Sequence, residues 1–511
     1  MTNQQPSLSL DALRRAATRL KKAFAAGDPD ARQRVAAALP APKEALKHAD
    51  FLHVIAREHY FQSWPKLVAA AGLQGLDRAA RQARMRAALY HGQVYVAERI
   101  LEETPDIAEG DLGLACALYD VDRVRAWLEQ DSGAATRPSG PRNPILHLAF
   151  SRWIKARPAL EPAMLAVAEA LVAAGADVND GFLFAQGDDH RLPALYGAIG
   201  HADNMVLGRW LLDHGANPDD AESLYHATEL GHHEGLGLLI AHGANPKGTN
   251  ALLRAMDFND HTAVRMLLAA GADPDDFNPE EVGGEAPWVI PALHQAGRRG
   301  CDAKMVEILL EAGADTTRLW KGASAYAFAT AYGNEPVAQA LLGAGARTDI
   351  SPAEAQLAAA AGGQTPAGHV DEAALLDAYD GLLRNVVSIP DRLPHIKGLI
   401  GIGFDPDRPD HDGITPVQIA GWEGLPEHMA YLLTLNPDLG HVNAYGGGLI
   451  STILHGSENA QNRESRDHIG CLQLALDAGV RLQRREIEGA GREEVAAFLT
   501  EWAAEHPDRV I

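Results

Sequence analysis

The chain alternates short apolar stripes with polar turns at a period that suits helices. Leu10, Leu13, Ala17, Leu20 and Phe24 recur at helical spacing. The run Gly27–Asp30 then stops one helix and starts another. A further helix is predicted from about Ala49 to Glu58, and the stretch Phe61–Leu67 opens the next, with Trp64 as a core residue. Downstream, one helix-end pattern returns repeatedly: an apolar pair, a small residue with Gly, then in most copies Asp or Asn. It reads LVAAGADVND from Leu171, LLDHGANPDD from Leu211, LIAHGANPKG from Leu239 and LLAAGADPDD from Leu267. It returns as LLEAGADTTR from Leu309 and LLGAGARTDI from Leu341. The apolar pair ends an amphipathic helix, the Gly supplies a left-handed cap, and the Asp or Asn closes a turn onto nearby backbone. Among these pairs, Leu211, Leu212, Leu267, Leu268, Leu309 and Leu310 are the candidate core.

A second element precedes several of these helix ends. It reads NPILHLAF from Asn143, PALHQAGRRG from Pro291 and TPVQIAGWEG from Thr415. Pro suits a first helical turn, where its missing N–H costs nothing. Together the two elements resemble the ankyrin repeat, whose period is about 33 residues. The resemblance runs from about Ala87 to Gln483 and is densest between Pro144 and Thr348. It implies an all-α solenoid of stacked antiparallel helix pairs with few or no strands. It also implies that His147 and His294 are structural histidines bridging neighbouring repeats, and that His201 and His232 resemble the turn histidine of the Gly-His pair. Several repeats are shortened to about 28 residues, so their hairpin fingers must be clipped.

The organisation expected is a small N-terminal helical segment over 1–78, an ankyrin-repeat array over 79–350, degenerate repeats with an insertion over 351–483, and a polar capping helix over 484–511. A solenoid needs such a cap at an open end.

Composition narrows the function. Hydrophobic residues make up 46% of the 511, enough to bury a large apolar surface. The net charge of −23 lacks the cationic footprint of a nucleic-acid binder and opposes an acidic membrane surface. No stretch approaches the roughly 20 apolar residues of a membrane span. The cysteines Cys116, Cys301 and Cys471 form no CxxC pair and read as small buried hydrophobes. A cytoplasmic location follows by elimination.

No GxSxG, P-loop, HExxH or Rossmann fingerprint is present, so no catalytic residue and no cofactor are assigned. His226, His232, His233 and His242 are the densest histidine run, but repeat geometry argues against a metal site. Paired acids such as Asp219–Asp220 and Asp275–Asp276 read as solvated turn residues. The inner ends of the repeat helices are the better candidates. His226, Glu229, Arg254, Asp257, Phe258, Arg298 and Tyr332 stand where one concave face can form. Aromatics and Arg are favoured interface anchors, and acids fix register. The competing reading of the same residues is an internal network, such as Arg254 with Glu229. The function expected is a non-catalytic scaffold binding a protein partner. The alternative is an enzyme or small-molecule binder that uses an insertion, such as Phe182–Arg191 or Arg384–Asp410, as a lid.

Overall fold

The structure is a computed structural model that describes residues 10–39, 46, 48–183, 190–278, 290–364, 368–410, 412–460, 463–490 and 492–511. Its contacts divide the chain into two compact units, one of residues 72–316 and one of residues 1–71 together with 317–511. Both are mostly helical.

In the unit of 72–316, short helices alternate between two layers. Ala251–Asp257 packs on its partner His261–Ala269, and Ala292–Arg298 on Ala303–Glu311. First helices also stack on first helices, as Ser223–Ala227 does on Ala251–Asp257, and second on second, as Met205–Asp213 does on Glu234–Ala241. Several second helices begin at a short polar residue that caps their free N–H groups. Asp260 accepts from Thr262 and Ala263, Asn204 from Leu207, and Asp302 from Met305. The helices that carry the repeated helix-end pattern end at the glycine read from the sequence. Gly175, Gly215, Gly243, Gly271 and Gly313 all have φ between 88° and 100°, where a side chain would be strained.

The first Leu of each pair is core: Leu211, Leu267 and Leu309 are fully buried. Leu212 is buried too, whereas Leu268 and Leu310, at the same second position of their pairs, are only half-buried. The acids after the glycines are more than solvated turn residues. Asp219 Oδ1 accepts the backbone N–H of Asn245 in the next turn at 2.6 Å, and Asp275 Oδ2 accepts that of Asp315 at 2.8 Å. Asp220 caps the following helix through Ser223, at 2.7 Å to its N–H. Two short antiparallel hairpins are the fingers that survive among the described residues: Gly181–Leu183 with Arg191–Pro193 in this unit, and Leu319–Trp320 with Ala323–Ser324 in the other.

The other unit contains the same kind of pairing, for example Pro416–Trp422 with Pro426–Leu433, and Leu449–Asn459 stacked on Pro416–Trp422. Thr415 opens its helix with a capping box. The N-terminal helices Leu10–Ala25, Pro29–Ala38 and His48–Glu58 enclose their own core of Leu13, Ala17, Leu20, Phe51, Leu52 and Ile55. Trp64 joins that core. The stretch read as one polar cap consists of two helices, Arg484–Gly489 and Glu493–Glu505. The second is amphipathic, with Val495, Leu499 and Trp502 buried, and it packs on His48–Glu58.

Candidate partner-binding stripe

Within the unit of 72–316, the C-terminal ends of successive first-layer helices place large polar and aromatic groups side by side. The stripe starts at Tyr90, whose ring stacks 5.8 Å from Phe150 and lies 4.2 Å from the His201 imidazole. Phe150 meets Tyr196 edge-on at 5.9 Å, and Tyr196 lies 4.8 Å from the ring of His226. Gly197 makes this packing possible, since a Cβ there would stand 2.5 Å from the Phe150 ring. The helix passes into a π turn over Gly197–His201, a distortion that recurs at functional sites.

From His226 onward the stripe becomes ionic. His226 Nδ1 lies 2.9 Å from Glu229 Oε2, and its Nε2 lies 3.2 Å from the buried Glu222. Burial alone would lower the imidazole, but the two carboxylates outweigh it and lift His226 to about 10. Arg254 clasps Glu229 at 2.7 and 2.8 Å and reaches Asp257 at 3.2 Å. Burial would raise Glu229, yet His226 and Arg254 hold it below the usual carboxylate range. Arg299 Nε pairs with Asp257 at 2.9 Å, and Gln295 donates to the same carboxylate at 2.5 Å. The Arg254 guanidinium also lies over Tyr225 and Phe258, 5.5 and 5.4 Å from the ring centres.

The sequence candidates therefore divide. His226, Glu229, Arg254, Asp257 and Phe258 come together and keep some exposure, 13, 26, 16 and 10% at the side chains of the first four. Arg298 is only 5% exposed, and its guanidinium donates to Gln295 at 2.6 Å. Tyr332 belongs to the other unit and is 2% exposed, stacked on Phe328 at 4.6 Å. An aromatic at a helix end is as useful to a core as to a surface, and periodicity alone does not separate the two. The ion pair Arg254–Glu229, weighed as an internal bridge, is present. Tyr90, Phe150, Tyr196 and Glu222 were missed. Two of them were legible: Phe150 follows the helix Pro144–Ala149 and Tyr196 ends the helix Ala194–Tyr196, the same helix-end place that singles out Phe258.

The histidine run does not converge. His232 pairs with Asp203 at 2.9 Å, His233 with Asp260 at 2.7 Å and His242 with Asp213 at 3.1 Å, while His226 faces Glu222 and Glu229. Other histidines bind neighbouring elements through backbone carbonyls: His147 lies 2.8 Å from Ser139 O and His201 2.9 Å from Tyr90 O. Burial pushes their imidazoles down, to about 4 and about 3. His294 is buried as well. Cys116, Cys301 and Cys471 are buried thiols, and burial raises each pKa, that of Cys301 to about 12.

Beside the first hairpin is a pocket of about 230 Å³, lined in part by Asn179, Arg191, Asn217 and Asp220. That is less than the roughly 300–1,000 Å³ usual for a small-molecule site. Of the proposed lid Phe182–Arg191, residues 184–189 lie outside the described residues. Among the described residues no helix is long and apolar enough to cross a membrane.

The family model for ankyrin repeats matches residues 163–278, as three copies. No curated protein matches the chain.

Proposed function

Starting from ankyrin repeats at residues 163–278, we propose that the chain is a non-catalytic scaffold that binds a protein partner along the stripe. The contacts are His226, Glu229, Arg254, Asp257 and Phe258. Arg298 and Tyr332 are left out, because buried side chains have little surface to offer. The observation that supports the reading is the partly exposed row of alternating charges and aromatics across consecutive first-layer helices. Preorganised ion pairs lose little side-chain freedom on binding, and an aromatic such as Phe258 supplies apolar contact. A cytoplasmic setting fits the buried free thiols.

The test is affinity capture of partners from the source cell by the full chain, followed by Phe258→Ala and Glu229→Ala. The expected result is a captured protein whose affinity falls about 5- to 100-fold with Phe258→Ala at an unchanged melting temperature. Equal affinity for both folded variants would remove the stripe as the binding face.

A further inference from the structure

At the other end of the stripe, two guanidinium groups lack the acids that accompany their neighbours. Arg81 pairs with Glu103, Arg86 with Asp111, Arg254 with Glu229 and Arg299 with Asp257. Arg142 and Arg152 pair with no carboxylate among the described residues, in a chain whose net charge is −23. The Arg142 guanidinium instead stands between aromatic rings, 4.1 Å from the centre of Phe182, 4.4 Å from Tyr90 and 5.5 Å from Phe150. Arg152 is fixed at both ends. Its backbone N–H donates to Leu89 O at 2.9 Å, and its Nε donates to His201 O at 3.0 Å.

The surroundings are positive as well as aromatic. Burial lowers both arginines, and burial with these two cations depresses the nearby imidazoles of His91 and His201. Ring stacking over the faces of a guanidinium offsets part of its desolvation, and of the five N–H groups of Arg142 the hydrogen bond to Tyr90 uses one, which leaves others to donate. The N–H edge of a guanidinium matches a carboxylate or phosphate in a two-pronged geometry. The site is open: Tyr90, Arg142, Arg152, Phe182, Tyr196 and His201 are half-buried over a floor formed by the buried Phe150. It is continuous with the ionic stripe, because Tyr196 touches both Phe150 and His226.

We propose that Arg142 and Arg152, which both act on His91 and His201, each take a carboxylate of an acidic polypeptide segment, with Tyr90, Phe182 and Tyr196 flanking the residues between. The proposal rests on the partner-binding reading only for the ligand being a polypeptide. Charge complementarity selects the class: the uncompensated charge is positive, whereas the His226–Asp257 end carries its own counter-ions.

The test is fluorescence anisotropy on the full chain with a labelled Glu–Tyr copolymer, with a Lys–Tyr copolymer and inorganic phosphate as the other probes. The Glu–Tyr polymer should bind and the Lys–Tyr polymer should not. Binding should weaken tenfold or more with Arg152→Gln and with Arg142→Gln. Arg142→Lys, which keeps the charge and loses the fork, should give an intermediate loss. Thermal melts report folding alongside, and Arg347→Gln, an exposed arginine of the other unit, should leave this binding within twofold. Failure of the wild-type chain to bind the Glu–Tyr polymer overturns the proposal, as does equal binding by all three folded arginine variants. Phosphate competing at the same concentration as the polymer's carboxylates also overturns it, by making the site one for free anions. Loss with the arginine variants, beside capture that ignores Phe258 and Glu229, would retain the anion site and remove the partner face; the reverse would remove only the anion site.

Discussion

At the scale of single residues, the same side-chain type does opposite things in different surroundings. His226 is lifted to about 10 by Glu222 and Glu229 in spite of burial, whereas burial holds His147 at about 4 and both His201 and His395 at about 3. The sign of each contribution follows. A raised imidazole binds its proton more tightly in the folded chain, so the stability from His226 is full below the unfolded value of 6.5 and is lost as pH rises through about 10. A depressed imidazole is protonated first in the unfolded chain, so His147, His201 and His395 withdraw stability as pH falls from 6.5 towards 3. Asp260 and Glu229, held low by their partners, act in the same direction in acid. The urea midpoint is therefore expected to drop steadily between pH 6.5 and 4, and His201→Gln to flatten that slope. A midpoint independent of pH over this range would contradict the burial of these rings. Arg254 gives a second measurement. Removing it leaves Glu229 and Asp257 partly buried beside fewer cations, so Arg254→Ala should cost about 1–3 kcal/mol of unfolding free energy in urea titration. The sequence named this pair correctly but could not say that it is one link in a longer network. The chain Glu222–His226–Glu229–Arg254–Asp257–Arg299 depends on how helices stack, and that is invisible in spacing.

Among elements, the repeat was legible because it is written twice, in the helix start and in the glycine that ends the following helix. The left-handed glycines and the first Leu of each pair stand where the repeated pattern put them. What was not legible is the rotation of each helix about its axis. Leu267 and Leu268 are adjacent and chemically identical, yet one is fully buried and the other half-exposed. Leu267→Ala is expected to cost about 2–5 kcal/mol, and Leu268→Ala under about 1.5 kcal/mol. Similar losses at both positions would place the helix in another register. The turns hold a comparable lesson. Asp219 follows a glycine on an exposed loop and looks dispensable, but its carboxylate receives the Asn245 N–H and so ties one turn to the next. Aspartate reads as a turn former in any sequence; only stacking turns it into a bridge between repeats. Likewise, Tyr332 and Phe258 are both aromatics that follow a seven-residue helix, yet one is buried and the other half-buried.

For the chain as a whole, ankyrin repeats account for 163–278, while the units divide near residues 72 and 316. The sequence showed an N-terminal helical segment and a C-terminal helix but not that they belong to one unit. Pairing between residues more than 450 apart leaves no mark in local pattern, except that Val495, Leu499 and Trp502 form an apolar face a polar cap does not need. That face packs towards His48–Glu58. Glu501 then secures the junction, accepting from the His48 backbone N–H at 3.0 Å and from Lys21 Nζ at 2.6 Å. Lys21 also reaches Glu505 at 3.2 Å; burial works against its charge, but the two acids hold its pKa above the ordinary lysine value. The last residues are anchored too, since Ile511 N donates to Leu482 O at 2.9 Å. Removing residues 492–511 takes away this cover and leaves the His48–Glu58 helix with an unpartnered apolar side. Short helices hold together chiefly through such packing rather than through their own propensity. Amide hydrogen exchange should therefore accelerate across residues 48–58 in the shortened chain, while amides of the Ala251–Asp257 and His261–Ala269 helices, which lie in the other unit, keep their protection. Glu501→Ala should produce a smaller loss confined to the same helix. Unchanged exchange over 48–58 after the truncation would mean that the N-terminal helices hold without the C-terminal one.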